Sequence, residues 1–377
     1  MSRRGGIALA GAALVIAAIV IALTRAGPRR AAPRPATSPL GPAGLRVGAS
    51  VNRLFNDQTY TPAEIGAQLA ALRATGATLA RSDALWEATQ PFGPDSPYNW
   101  RFDDSVAGAL AAHGLQWLPI VDYSAPWAQS LPGREHSAPR SDRQYAAYAA
   151  ALASRYGVRG SFWAAHPDLQ AAPVDTFEIW NEPDNPGFWP PAPDAARYGR
   201  LYVAARTAIK RVDPSARVII GGLTAPRTFL PPLLAASPAL RKEIDGVAVH
   251  PYAPDPAGVA DRVRTARTVM RALGLAAVPL YVTEFGWTTS PPGALDYAPA
   301  RLRPGYIAGT LDALGHSDCT IAQADLYTWV TPERHERLDQ DWFGISPPGA
   351  GRSSDASAFS DATRAAASPG PVALHCG

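Results

Sequence analysis

The sequence predicts a (β/α)8 TIM barrel, occupying residues 44–377 as a single domain. Two observations point there. Eight short apolar runs alternate with eight segments of helical length or helical signals. The competing open, doubly wound sheet wants a glycine-rich phosphate loop after an early strand, and neither GxGxxG nor GxxxxGK[ST] occurs.

The elements follow in order. Residues 45–51 read as the first strand. Thr61-Pro62-Ala63-Glu64 carries N-cap and capping-box residues and opens a helix reaching about Gly76. The second strand is expected at 78–82 and its helix near 103–113, ended by Gly114. Strand three covers 115–121, and a long helix covers 142–156. Strand four is 176–180, followed by a helix over 194–212 that Asp213-Pro214 stops. Strand five is 217–221, with a short helix at 229–235. Strand six is 245–249, with a helix over 257–273 closed by Gly274. Strand seven is 280–283, with a helix over 300–314 closed by Gly315. Strand eight is 321–328, and residues 355–367 supply the last helix.

Composition narrows the function. Hydrophobic residues make up 47% of the 377, ample for a core. A net charge of +3, part of it at the N-terminus, implies no basic face, so nucleic acid is not an expected partner. The 38 Pro and 10 Trp suggest stiff aromatic loops on a rigid scaffold, which we read as a monomer.

Residues 1–26 read as a targeting segment. Arg3 and Arg4 precede an uncharged run from Gly5 to Thr24, close to the roughly 20 residues that cross a bilayer. An uncleaved signal anchor is favoured over a cleaved signal peptide, with residues 27–43 as a Pro/Ala/Arg-rich tether and the body outside the cytoplasm. Cys319 and Cys376 are the only cysteines and lack partners for a zinc site, so a disulfide pinning the tail is expected.

Active sites of such barrels are built from the segments after the strands. Here those segments hold Trp86, Tyr98, Trp100, Tyr123, Trp127, Phe188, Trp189, Trp287, Trp329 and Trp342. One such Trp is more often ordinary packing; the concentration suits a sugar, whose rings have apolar faces. Asp122 stands among them. Two carboxylates end strands: Glu182 in Trp180-Asn181-Glu182-Pro183, and Glu284 in Thr283-Glu284-Phe285-Gly286. Strands four and seven are three steps apart around the ring, so the two can converge across its mouth. A retaining glycosidase needs two carboxyls about 5–5.5 Å apart. Glu178 has the parity to point into the barrel, where it needs a cation, with Arg81 the candidate.

With Asn181-Glu182-Pro183 after strand four and Thr283-Glu284-Phe285-Gly286 after strand seven, the chain resembles the clan A retaining glycoside hydrolases, most closely family 39 and related family 5-like enzymes. The resemblance spans roughly residues 45–365. It implies Glu182 as acid/base, Glu284 as nucleophile and Asn181 as partner of the sugar 2-hydroxyl. His250 and Tyr252 match residues flanking the nucleophile, Arg81 the arginine that steadies it, and Trp329 the strand-eight tryptophan under the reacting sugar. Trp127 and Trp287 are further candidate sugar contacts. Family 39 xylosidases carry an accessory β-sandwich for which this chain leaves no room. The expected activity is hydrolysis of an extracellular polysaccharide or oligosaccharide, without a cofactor or metal. A catalytically idle glycan-binding barrel and a transglycosylase remodelling cell-surface glycan are the rival readings.

Overall fold

The computed structural model describes residues 44–56 and 59–377. The expected signal anchor and tether lie outside these residues. Among the described residues, no helix is long and apolar enough to cross a membrane.

Eight parallel strands close into a barrel in sequence order: β1 Arg46–Ser50, β2 Leu79–Leu85, β3 Gln116–Asp122, β4 Thr176–Ile179, β5 Arg217–Leu223, β6 Val247–Val249, β7 Leu280–Phe285 and β8 Ile321–Leu326. Pairing of β8 with β1, with Asp325 opposite Gly48, closes the ring. The helices are α1 Asn52–Asn56, α2 Pro62–Ala74, α3 Trp86–Thr89, α4 Arg101–Ala112, α5 Asp142–Tyr156, α6 Ser161–Ala165, α7 Ala195–Val212, α8 Pro226–Ala236, α9 Leu240–Glu243, α10 Pro256–Ala272, α11 Arg303–Gly315 and α12 Ser354–Ala366. The short helices α1, α3, α6 and α9 have too few residues to show helical periodicity in sequence.

Local chemistry accounts for the long helices. The Thr61 hydroxyl accepts from the Glu64 N–H while the Glu64 carboxylate accepts from the Thr61 N–H at 2.7 Å, completing the expected capping box of α2. Asp194 and Asp255 cap α7 and α10 in the same way. Gly114 and Gly274, after α4 and α10, take φ of 68° and 81°, a region that glycine enters without strain. Gly315 behaves differently from the stop expected of it. It belongs to α11 and allows close approach of α12: a Cβ there would come within 2.6 Å of the Ala366 Cβ.

The apolar faces of the helices pack on the outer side of the barrel. Inside it, Ile219, Ala248 and Tyr281 form a small separate apolar cluster. Leu79, Leu118 and Ile120 share the inward face with Arg81 and Glu178, and all five are buried. Cys319 and Cys376 are bonded, and Ser317 bridges to Leu374, so the tail is fastened beside the start of β8. Closing a loop with a separation of 57 residues stabilises by roughly 4 kcal/mol in the chain-entropy model.

Candidate active site

Strand β4 points Glu178 into the barrel and then turns sharply. Trp180 and Glu182 adopt positive φ, 67° and 45°, a conformation that costs a non-glycine residue of order 1–3 kcal/mol. Packing holds it. The buried Trp180 donates its Nε1 hydrogen to the Phe188 carbonyl at 2.7 Å, and Tyr123 and Trp189 close on its ring. The turn lifts Glu182 to the barrel mouth, where Asn185 donates to its Oε2 at 2.7 Å.

Glu284 comes from β7 on the other side of the ring. Its Oε1 accepts from Arg81 Nη1 at 2.5 Å and its Oε2 from the Tyr252 hydroxyl at 2.7 Å. Arg81 also donates Nε to Glu178 Oε2 at 2.7 Å and Nη2 to Asn181 Oδ1 at 3.0 Å. One guanidinium thus serves both Glu178 and Glu284. Since Asn181 accepts through Oδ1, its Nδ2 is left as the donor toward the cavity.

His250 sits between the two glutamates. Its Nδ1 lies 2.8 Å from Glu182 Oε1 and 3.6 Å from Glu284 Oε2. Gly222 on β5 makes room for it, since a Cβ there would stand 1.9 Å from Nε2. His250 Nε2 lies 3.1 Å from the Thr283 hydroxyl, which also donates to Glu178 Oε1 at 3.0 Å, and 3.5 Å from Arg81 Nη2, while Nδ1 faces Glu182.

Electrostatics separate the roles. Burial opposes ionisation of Glu284, but His250, Arg81 and the Tyr252 hydroxyl outweigh it and hold its carboxyl below the ordinary value. Burial likewise opposes a charge on His250, and the neighbouring Glu284 and Glu182 overcome it and raise its pKa.

These groups floor a cavity of about 730 Å³ that Asn181, Glu182, His250, Tyr252 and Glu284 all line. Ligand atoms of Glu182, His250 and Glu284 lie within 4.8 Å of one another, a spacing a metal ion could use. The donor set fits one poorly: both Glu284 oxygens are engaged, and Arg81 places a fixed positive charge beside them.

Three expected sugar contacts are not at the cavity. Trp329 lies beyond the end of β8, where the chain turns back. Its Nε1 donates to Gln68 on α2 at 2.9 Å and its ring packs near Phe359 of α12. Trp287 is buried, donating to the Ala253 carbonyl at 2.8 Å and packing on Tyr306. Trp127 donates to the Gln90 carbonyl at 2.7 Å and meets Trp86 edge-on. These indoles are hydrogen-bonded into the loops and are not among the residues lining this cavity. Tyr123 and Phe188, among the aromatic residues after the strands, do line the cavity. So do Tyr327, Phe343, Asp83, Asn52 and Asn56, which were not expected there. Asp83 was legible: it lies two residues after Arg81 and so shares its face of β2.

No family model matches the sequence. A β-xylosidase of Geobacillus stearothermophilus is 28% identical over 161 residues, covering 37% of this chain and 31% of that protein. A family 39 glycoside hydrolase from Bacteroides cellulosilyticus WH2 superposes with a TM-score of 0.65 at 18% identity, over 85% of this chain and 64% of that one. A monomeric β-xylosidase from Caulobacter crescentus CB15 gives 0.63 at 21%, over 84% and 67%. Fungal β-1,4-galactanases give 0.59 at 17%, over 85% of this chain and 100% of theirs. The chain thus spans about a third of the curated relative and under two thirds of the family 39 structure. In its barrel, the chain resembles the family 39 glycoside hydrolases and their family 5-like clan relatives.

Proposed function

We propose that the chain is a retaining O-glycoside hydrolase acting on an extracytoplasmic polysaccharide or oligosaccharide. The observation that carries this is the approach of Glu182 and Glu284, with carboxyl oxygens within 4.8 Å at the floor of one cavity. Two carboxylates that bring an oxygen each so near the other favour the short separation of retaining enzymes, roughly 5–5.5 Å, over the roughly 6.5–9.5 Å that inverting enzymes need to seat a water. The relatives' names (β-xylosidase, β-1,4-galactanase, exo-β-1,4-mannosidase) support a glycosidic substrate.

Glu284 attacks the anomeric carbon. Arg81 and Tyr252 keep it ionised and fix both of its oxygens. Glu182 gives its proton to the departing oxygen, and the glycosidic bond breaks as the covalent bond to Glu284 forms. Water then attacks the glycosyl-enzyme, with Glu182 taking its proton. His250 Nδ1, 2.8 Å from Glu182 Oε1, stores or returns a proton between the two steps. Asn181 Nδ2 is placed to donate to the sugar 2-hydroxyl. The bonded cysteines support an oxidising location, and the apolar run before residue 27 would supply the membrane anchor.

The test is the anomer formed first, observed by proton NMR while a 4-nitrophenyl glycoside is consumed. Retained configuration is expected. Inverted product, or no turnover across a panel of defined glycans, would overturn the reading.

A further inference from the structure

One end of the cavity is built from side chains that the mechanism leaves unused. Asp83 of β2 lines it together with Asn52 and Asn56 of α1. Asn52 Nδ2 lies 2.9 Å from each Asp83 oxygen, and Asn56 Nδ2 lies 2.6 Å from Oδ2. Both amides are spent on that carboxylate, and the Oδ1 of each is buried and accepts no hydrogen bond. Leaving two buried acceptors unpaired is costly. The arrangement therefore fixes one carboxylate at the cavity wall at the expense of the amides that hold it. Burial pushes Asp83 up to about 6, with Asn56 and Arg81 pulling the other way. It is ionised at neutral pH, and an ionised carboxylate only accepts.

The neighbours say which part of a sugar lies there. Asp83 stands two residues beyond Arg81 on the same face of β2, and Arg81 Nη1 holds Glu284 Oε1 at 2.5 Å. Asp83 is therefore on the side of the sugar that becomes attached to Glu284. Arg53 Nη2 bonds Asp341 at 2.8 Å, tying α1 to the segment after β8, and the Tyr327 hydroxyl donates to Gln340 at 2.7 Å.

We propose that Asp83, held by Asn52 and Asn56, is the specificity residue that accepts hydrogen bonds from the hydroxyls of the glycone farthest from the scissile bond. The inference rests on the glycosidase reading and deepens it, because two carboxylate oxygens match two neighbouring hydroxyls.

The experiment compares wild type with Asp83→Asn and Asp83→Ala. The substrates are whichever of the 4-nitrophenyl β-xyloside, glucoside, galactoside and mannoside the wild type turns over, and its 3-deoxy and 4-deoxy analogues. Loss of a charged hydrogen bond should lower kcat/KM for the parent by about 10²-fold in Asp83→Asn. The analogue that lacks the partner hydroxyl should be slow on wild type and almost unchanged by the mutation. Equal losses on parent and analogues would mean a merely structural role and would overturn the proposal. A binding arm needs no turnover: calorimetry of the four free monosaccharides with Glu284→Gln, and with Glu284→Gln carrying Asp83→Asn. Asp83-dependent binding in a protein inert toward every glycoside would keep the role of Asp83 and sink the hydrolase. Binding that ignores Asp83, or no binding, would sink the role of Asp83.

Discussion

Arg81 carries several duties with one guanidinium. It neutralises the buried Glu178, orients Asn181 and clamps Glu284. In the proposed mechanism Glu284, so held, is the nucleophile, and Glu182, 2.8 Å from His250 Nδ1, is the group that exchanges a proton. The two glutamates should therefore fail differently. Glu284→Ala should abolish turnover on every glycoside, because no covalent intermediate can form. Glu182→Ala should cost of order 10²–10⁴-fold on substrates with poor leaving groups, and far less with a dinitrophenyl leaving group that scarcely needs protonation. In that variant the second step loses its general base, so azide should restore rate and yield a glycosyl azide with the configuration of the substrate. Azide rescue of Glu284→Ala but not of Glu182→Ala would show the roles to be reversed.

At the scale of elements, periodicity and capping made the order of strands and long helices legible. The Thr61 box, the residues 142–156 and the stops at Gly114 and Gly274 all appear where the chain's chemistry puts them. The site was legible where strand parity decides direction, as at Glu178, and at Glu284 from its place at the end of β7, where the register shifts. It was not legible where the chain leaves the sheet, since parity then says nothing. Trp329 shows this: β8 ends at Leu326, the chain turns, and Tyr327 takes the cavity while Trp329 packs between α2 and α12. Trp329→Ala should therefore act on stability, costing roughly 3–5 kcal/mol as a core truncation, with kcat/KM unchanged at temperatures where the variant is folded. Tyr327→Ala should do the reverse, impairing kcat/KM with a smaller loss in melting temperature. Thermal melts and initial rates on both variants check this. A catalytic defect in folded Trp329→Ala would return that residue to the sugar.

At the scale of the whole molecule, several acids are buried with no ion-pair contact among the described residues. Asp103 on α4 accepts from the Thr89 hydroxyl at 2.8 Å through one oxygen, and its other oxygen has no partner. Asp325 inside the barrel has only Gln323 at 2.7 Å, and Asp122 has a partner for neither oxygen. Burial pushes Asp103 and Asp325 up to about 7 and Asp122 well above its ordinary value. Unfolded aspartates titrate near pH ~4. Between about pH 4 and pH 7 the native state therefore binds more protons than the unfolded chain, and stability must fall as pH rises. Each such group contributes a slope of up to ~1.4 kcal/mol per pH unit in that window. His250, with its raised pKa, adds stability that is lost on further rise. Glu284, with its lowered pKa, adds stability that is lost only as pH falls below the ordinary carboxylate range. The melting temperature should accordingly be higher at pH 5 than at pH 8. Asp103→Asn, which keeps an acceptor for Thr89 without a titrating proton, should flatten the slope. A melting temperature that rises from pH 5 to pH 8 would mean that these carboxyls are ionised and paired in the native protein.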